Sequence, residues 1–241
     1  MANERLREAM SRTHIDVDTI SVETDVDPKT VQRWLKGRIP HARHRWKIAA
    51  VLNEKESYLW PGQQVNNDCN NEVVATYGRR SDASSAEWWE LFNQAQDSID
   101  MLGHAILFIP EQNSRLIDML KEKVANGCRV RIAISNPDSK AVQMRDEEEG
   151  LGGTLPGRIR QGLYHFRGLM GTSGAEIRYH ETILYNSLFR GDGDMFVTPH
   201  VHGLHGSMSP MIHIRRLGDN GIYATFRKHF EDVWGTTKPI E

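Results

Sequence analysis

Two groups of residues in this chain have types and spacing that could do chemistry. The first lies in TDVDPKTVQRWLKGRIP, residues 24–40. At helical spacing Val31, Trp34 and Leu35 fall on one side, and Lys29, Thr30 and Arg33 fall on the other, with Gln32 at its edge. The second set reaches outward and donates hydrogen bonds. Lys36, Arg38, Arg43 and Arg45 follow close behind it. The second group is PHVHGLHG, with His200, His202 and His205. On a strand His200 and His202 would share a face, a spacing used by zinc and iron sites, and Asp192 or Asp194 could add a carboxylate. No fourth ligand or general base is fixed there. A polar loop surface is therefore the simpler expectation, and no metal or other cofactor is expected.

Charge is blocked around the first group. Residues 13–27 hold Asp16, Asp18, Glu23, Asp25 and Asp27 with no Lys or Arg, whereas 28–53 hold seven Lys or Arg and no acid. The net charge of −2 averages this away, so the whole chain is not a general polyanion binder. With 241 residues, 39% hydrophobic and 26% charged, the chain has room for one large domain or two modest ones.

Short helices must position the basic face. Asp27 can cap a helix whose first residue is Pro28, where the missing N–H costs nothing, and Gly37 closes it. NERLREAMSR, DVDTISVET, PHARHRWKIAAVLN and EKESYLWPG supply four more, the fourth of the five carrying Trp46, Ala49, Ala50 and Leu52 inward. Ser21 is small where the second helix meets the third, and Asp25 stands at a turn that needs a left-handed residue. Val26, Val31 and Trp34 anchor the third helix. Two helices so joined, the second polar and basic outside, are the helix-turn-helix arrangement. The plain alternative is a solvated basic face used for protein contact.

With these residues together, TISVETDVDPKTVQRWLKG resembles the helix-turn-helix of the lambda-repressor-like, or XRE, family, and the likeness runs over residues 3–61. The resemblance implies an all-α five-helix domain, residues 1–62, whose third helix enters the major groove of double-stranded DNA. Pro28, Lys29, Thr30, Gln32 and Arg33 would face the bases, Lys and Arg suiting guanine and Thr a phosphate or thymine methyl. Lys36, Arg38, Arg43 and Arg45 would hold phosphates. One such module reads few base pairs, so a homodimer on an inverted repeat is expected.

Polar QQVNNDCNNE, residues 63–72, reads as a linker. Beyond it, residues 73–241 read as an α/β domain. EVVATYG is a strand, SAEWWELFNQAQDSI a helix, MLGHAILFI a strand, NSRLIDMLKEKVANG a helix and CRVRIAIS a strand, which indicates a right-handed parallel unit. Helices are expected over 139–149 and 156–170, then strands at AEIRYH, TILYNSLF, DMFVTPHV and MIHIRR, and a last helix at GIYATFRKHFEDVW. RGDGD signals a hairpin, and RDEEEG, residues 145–150, a solvated helix end.

RYHETILYNSLFRGDGDMFVTPHVHG, residues 178–203, resembles the core of phospholipase-D-like domains, which carry His-x-Lys-x4-Asp. ANGCRVRIAISNPDS is similar to the helix and strand that precede that site, and one such half-domain would cover residues 73–237. The resemblance implies a histidine attacking phosphorus, a lysine meeting the oxygens and a second histidine protonating the leaving group. His180 matches the histidine, but Thr182 stands where the lysine should, and Asp192 and Asp194 lie beyond the motif. The expectation is a degenerate phospholipase-D-like domain with no catalytic residues, which dimerises or senses a ligand. Arg178, His180, Thr182 and Asn186 could line a pocket for a small anion. A purely structural domain with a satisfied His180 is the alternative.

These readings combine into a DNA-binding transcriptional regulator, with a repressor favoured because nothing marks a polymerase-contact surface. A phospholipase-D-like phosphodiesterase or nuclease brought to DNA is one competing class, and a protein-interaction regulator is another. Cys69 and Cys128 are far apart and suit a reducing cytoplasm. MANERLREAM is charged from its fourth residue, unlike a signal peptide, and no apolar run approaches the roughly 20 residues of a membrane span. A cytoplasmic protein with no membrane partner is expected.

Overall fold

The structure is a computed structural model that describes residues 3–61 and 72–240, and the chain divides into two compact units, Met1–Asn67 and Asp68–Glu241. The linker expected at 63–72 lies outside the described residues except at Glu72, as does Cys69. Glu72 itself is buried. Its carboxylate accepts the backbone N–H of Tyr223 at 3.0 Å and its carbonyl accepts that of Arg215 at 2.7 Å, so this residue belongs to the second unit and not to a solvated connection.

The first unit holds five helices among the described residues: α1 (Glu4–Thr13), α2 (Val17–Thr24), α3 (Pro28–Leu35), α4 (Ala42–Val51) and α5 (Glu56–Leu59). Leu6, Ile20, Val31, Trp34, Ile48 and Leu59 close its core, each large side chain contributing about 1.5–3 kcal/mol by burial. Asp25 ends α2 in the left-handed region at φ 55°, and Val26 donates its N–H back to the Ser21 carbonyl at 3.1 Å, so the chain reverses sharply into α3. The fourth helix corrects the sequence reading. Its inward stripe is Arg45, Ile48, Ala49 and Leu52, whereas Trp46 is 67% exposed and Ala50 also faces out. A helix can carry only one such stripe at 3.6 residues per turn. Arg45 takes the inward place because Glu56 and the Pro40 carbonyl satisfy it there, at 2.7 and 3.1 Å.

The second unit is a mixed eight-stranded sheet built from β1 (Val73–Tyr77), β2 (Ser98–Gly103), β3 (Arg129–Ser135), β4 (Ala175–His180), β5 (Asn186–Gly191), β6 (Asp194–Pro199), β7 (Met211–Arg215) and β8 (Lys238–Pro239). Their order is β1-β7-β6-β5-β2-β3-β4-β8, with β2, β3 and β4 parallel and the other pairings antiparallel. Strand residues alternate between two cores. Ile99, Met101, Val130, Ile132 and Phe189 join Trp88 and Phe92 of α6 (Ser85–Asn93), with buried Cys128 beside them. Leu102, Ala133 and Leu188 join Tyr223 and Phe230 of α11 (Ile222–Trp234). On the α11 side the strands also carry charge. Asp100, fully buried, accepts from Arg131 Nε at 2.8 Å and Nη2 at 3.1 Å and from Arg190 Nε at 2.7 Å, and Glu231 of α11 accepts twice more from Arg131.

Four segments differ from their sequence reading. The helix α6 stops at Asn93, and β2 starts at Ser98, three residues before the expected strand. Asp192, 94 residues ahead of Ser98, accepts the N–H groups of Gln96, Asp97 and Ser98 and draws the chain out of the helix. HAILFI is no strand, because Phe108 opens the short helix α7 (Phe108–Gln112), and a short buried apolar run does not distinguish the two states. TILYNSLF becomes strand only from Asn186, and β5 turns into β6 through Asp192-Gly193 with Gly191 opposite Asp194. A Cβ at Gly191 would lie 2.0 Å from the Leu91 carbonyl oxygen, which leaves room for glycine alone. RDEEEG is not a solvated end. Arg145 and Asp146 are buried near the end of α9 (Lys140–Glu148), where Asp146 accepts the N–H of Leu155 at 2.7 Å at the start of α10 (Leu155–Phe166), and Arg145 pairs with Glu148 and Glu149. The second unit also holds α8 (Leu116–Ala125). No helix among the described residues is long and apolar enough to cross a membrane.

Candidate nucleic-acid interface and histidine cavity

The face of α3 is held from both ends. Asp27 Oδ1 accepts the Lys29 N–H at 2.8 Å with Pro28 at the first helical position, and Gly37 at φ 102° releases the chain after Lys36. Pro28, Lys29, Gln32, Arg33, Lys36, Arg38 and Arg43 are exposed and Thr30 is half-exposed. Ion pairs in the described part of this unit join Arg7 to Glu4, Arg12 to Glu54 and Arg45 to Glu56, so none consumes Lys29, Arg33, Lys36 or Arg38. Arg43 donates to His44 Nε2 at 3.1 Å. Burial, and after it the Arg43 charge, holds His44 below the usual histidine range. Arg45 was expected to hold phosphate with its neighbours, and the structure overturns that. It is 7% exposed and committed to Glu56, because the tertiary packing of α4 on α5 supplies a carboxylate that its own helix lacks.

In the second unit the C-terminal ends of β2, β3 and β4 meet the start of β5 and the end of β6 at one edge of the sheet. Side chains following or ending these strands form a linked set. His104 Nδ1 lies 2.8 Å from Ser135 Oγ, which lies 3.2 Å from His180 Nε2, itself 3.3 Å from the Gly103 carbonyl. The His200 ring stacks on His104 with centroids 5.3 Å apart, and its nitrogens sit 3.0 Å from the Leu184 carbonyl and 2.9 Å from Ser187 Oγ. Burial pushes His180 and His200 down to about 4, and burial followed by His200, His180 and Arg145 holds His104 well below 6.5. The cluster is neutral at pH 7.

One assignment of the protons accounts for these three contacts. A carbonyl only accepts, so His180 Nε2 carries a proton toward Gly103 and Ser135. Ser135 then gives its own proton to His104 Nδ1. That leaves His104 Nε2 as an N–H donor, and this atom has no partner.

A cavity of about 300 Å³ opens beside the cluster, lined in part by His104, His200, Ser187, Arg80, Arg158 and Phe108. Arg80 lies 3.7 Å over the Phe108 ring, and burial, then the neighbouring Arg158 charge, lowers it to about 10.

The four residues expected to line an anion pocket do not share one. Arg178 pairs with Glu176 and lies 4.9 Å over the Trp234 ring. His180 has no exposed surface, and Thr182 and Asn186 are half-exposed in and after the β4–β5 connection. Alternation along β4 cannot bring them together because the strand ends at His180. The three-histidine metal candidate also separates. Strand β6 stops at Pro199, so His200 enters the cluster, while His202 and His205 point to Glu148 and Glu149 at 3.3 and 3.5 Å. Among the described residues no group of three or more His, Cys, Asp or Glu is arranged to hold a metal ion. Sequence reading missed His104, Ser135, Ser187, Arg80 and Arg158. A polar residue closing each buried strand, as in MLGH and RIAIS, was the signal available for the first two.

Residues 71–241 match a family described as Domain of unknown function (DUF5919). No curated protein matches the chain. Among solved structures it is similar to that of TrmBL2, an archaeal chromatin protein described as showing a novel mode of DNA binding, at 14% identity and a TM-score of 0.43. The likeness covers 69% of this chain and 54% of that one, so it spans about half the length of that protein.

Proposed function

This chain belongs to the DUF5919 family, and we propose that it is a cytoplasmic, sequence-specific DNA-binding transcriptional regulator, with repression favoured over activation. The observation that carries this reading is the outer face of α3. Lys29 and Arg33 on the helix, and Lys36 and Arg38 just after it, stand exposed with no acidic partner among the described residues, and the helix is fixed by its cap and the left-handed turn before it. An α-helix with its side chains is about 10–12 Å across, which suits a major groove about 12 Å wide. We read the first unit as a lambda-repressor-like helix-turn-helix, with Pro28, Lys29, Thr30, Gln32 and Arg33 toward bases and Lys36, Arg38 and Arg43 toward phosphates. A homodimer would place two such helices on half-sites about one helical turn apart.

Selection of bound fragments from genomic DNA tests this, and an enriched inverted repeat is the expected result. On that sequence Arg33→Ala is expected to cost about 1–3 kcal/mol and relax base preference, whereas Arg43→Ala weakens all DNA alike and lowers the salt slope by about one. Equal losses on specific and random DNA for Arg33→Ala would remove α3 from base reading, and an enriched site without twofold symmetry would remove the homodimer.

The second unit reads as a phospholipase-D-like half-domain that no longer cleaves phosphodiesters. Counted from His180, the His-x-Lys-x4-Asp spacing reaches Thr182 and Ser187, neither of them charged. His180 is sealed against Gly103 and Ser135. Loss of one donor to a developing oxyanion costs about 2.7–4 kcal/mol, and here the cation is gone altogether. Plasmid DNA, bis-p-nitrophenyl phosphate and phosphatidylcholine are expected to remain intact, with or without added zinc. Turnover that disappears in His180→Ala would move the protein into the enzyme class. The remaining roles are dimerisation and the sensing of a small ligand.

A further inference from the structure

Arg80 is a half-buried cation whose guanidinium makes no hydrogen bond or ion pair among the described residues. It is nevertheless held in place. Its backbone N–H reaches the Ser209 carbonyl at 2.7 Å, Ser81 reaches that of Ser207 at 3.1 Å, and its plane lies on Phe108. Arg158, an exposed residue of α10, is close enough to repel it, and both line the same cavity. Glu149 attracts Arg80 but is already bonded to Arg145. His104, His200, Ser187, His205, Ser207 and Glu149 also line the cavity. Two cations thus share the cavity, and Glu149, the carboxylate in its wall, is committed to Arg145. Ile106, Leu107, Phe108, Leu151 and Leu155 form the apolar part of the wall.

We infer that this cavity is the binding site of a small organic anion, a carboxylate or phosphate monoester carried on an apolar body about the size of one aromatic ring. The anionic head bridges Arg80 and Arg158. The bridge removes the repulsion between two like charges, while the apolar body covers Leu151 and Leu155. Preorganisation of Arg80 by its backbone bonds and by Phe108 lowers the ordering cost of capture. The inference rests on the sensing reading of the second unit and is independent of DNA contact by the first.

The test is isothermal titration calorimetry of the full chain near neutral pH, without DNA, using benzoate, phenyl phosphate and benzyl alcohol as probes. Saturable heat with benzoate marks a carboxylate site and with phenyl phosphate a phosphate site, and benzyl alcohol is expected to bind at least about tenfold more weakly. Arg158→Gln, at an exposed position, and Arg80→Gln are each expected to weaken the anion by about tenfold to a hundredfold, the contribution of a hydrogen bond to a charged group. No saturable heat with either anion at millimolar concentration overturns the site, as does unchanged affinity in both variants. Anion binding that leaves DNA affinity unaltered keeps the site and removes the sensing role.

Discussion

Asp100→Ala is expected to destabilise the second unit by about 3–5 kcal/mol, the range for removing one partner from a buried ion cluster. Asp100 has no exposed surface and is the acceptor shared by Arg131 and Arg190, which are 5% and 7% exposed. Glu231 still pairs with Arg131 in the variant, but Arg190 keeps only Ser98 Oγ at 3.0 Å, the Asp192 carbonyl at 3.1 Å and a long contact to Tyr223. A guanidinium cannot shed its charge, so the desolvated cation remains and faces a second one. Urea unfolding, followed by a probe of the second unit, measures the loss. The combination of Asp100→Leu, Arg131→Met and Arg190→Met is expected to be less destabilising than Asp100→Ala alone, because no orphan charge is left. A loss below about 1 kcal/mol for Asp100→Ala would show that water reaches this cluster.

The second large effect is acid sensitivity above the carboxylate range. In the unfolded chain His104, His180 and His200 take up protons near pH 6.5, whereas folded His180 and His200 wait until about 4 and His104 is also depressed. Between those limits the unfolded state binds more protons. Stability is therefore full above about pH 6.5 and falls as pH drops toward 4. His180 and His200 each contribute about 1.4 kcal/mol per pH unit inside the window, on the order of 3 kcal/mol apiece across it, and His104 adds to the same slope. Glu87, held low by Tyr77, and Glu231, held low by Arg131, add losses only at lower pH, so the slope is best read above pH 5. His200→Gln is expected to remove one histidine's share of that slope. An identical slope in the variant would mean that His200 titrates normally in the folded chain.

What the sequence made legible was whatever its neighbours decide. The α2–α3 turn, the Asp27 cap, Pro28 and the Gly37 stop lie within a dozen residues, and each acts on its own backbone. Arg45 and Trp46 were read the wrong way round because the deciding partner, Glu56, arrives on a later helix. The start of β2 escaped for the same reason, being set by a carboxylate at position 192. His180 and His200 were each noticed, but under two different chemistries. Their meeting with His104 depends on β5 lying beside β2, a pairing that no local pattern announces. Arg80 and Arg158 carry no signature at all until the fold brings them to one cavity.

Cys128, at the foot of β3, gives the second unit its own gauge of opening. Only 1% of its surface is exposed, and burial pushes its thiol up, so at neutral pH it is neither accessible nor ionised in the closed state. An alkylating reagent can reach it only through openings of the surrounding core. Where reclosing outpaces modification, the labelling rate is the open fraction multiplied by the reactivity of a free thiol. Mass spectrometry of the peptide that carries Cys128 therefore reads the open fraction of the sheet and its helices without any added chromophore.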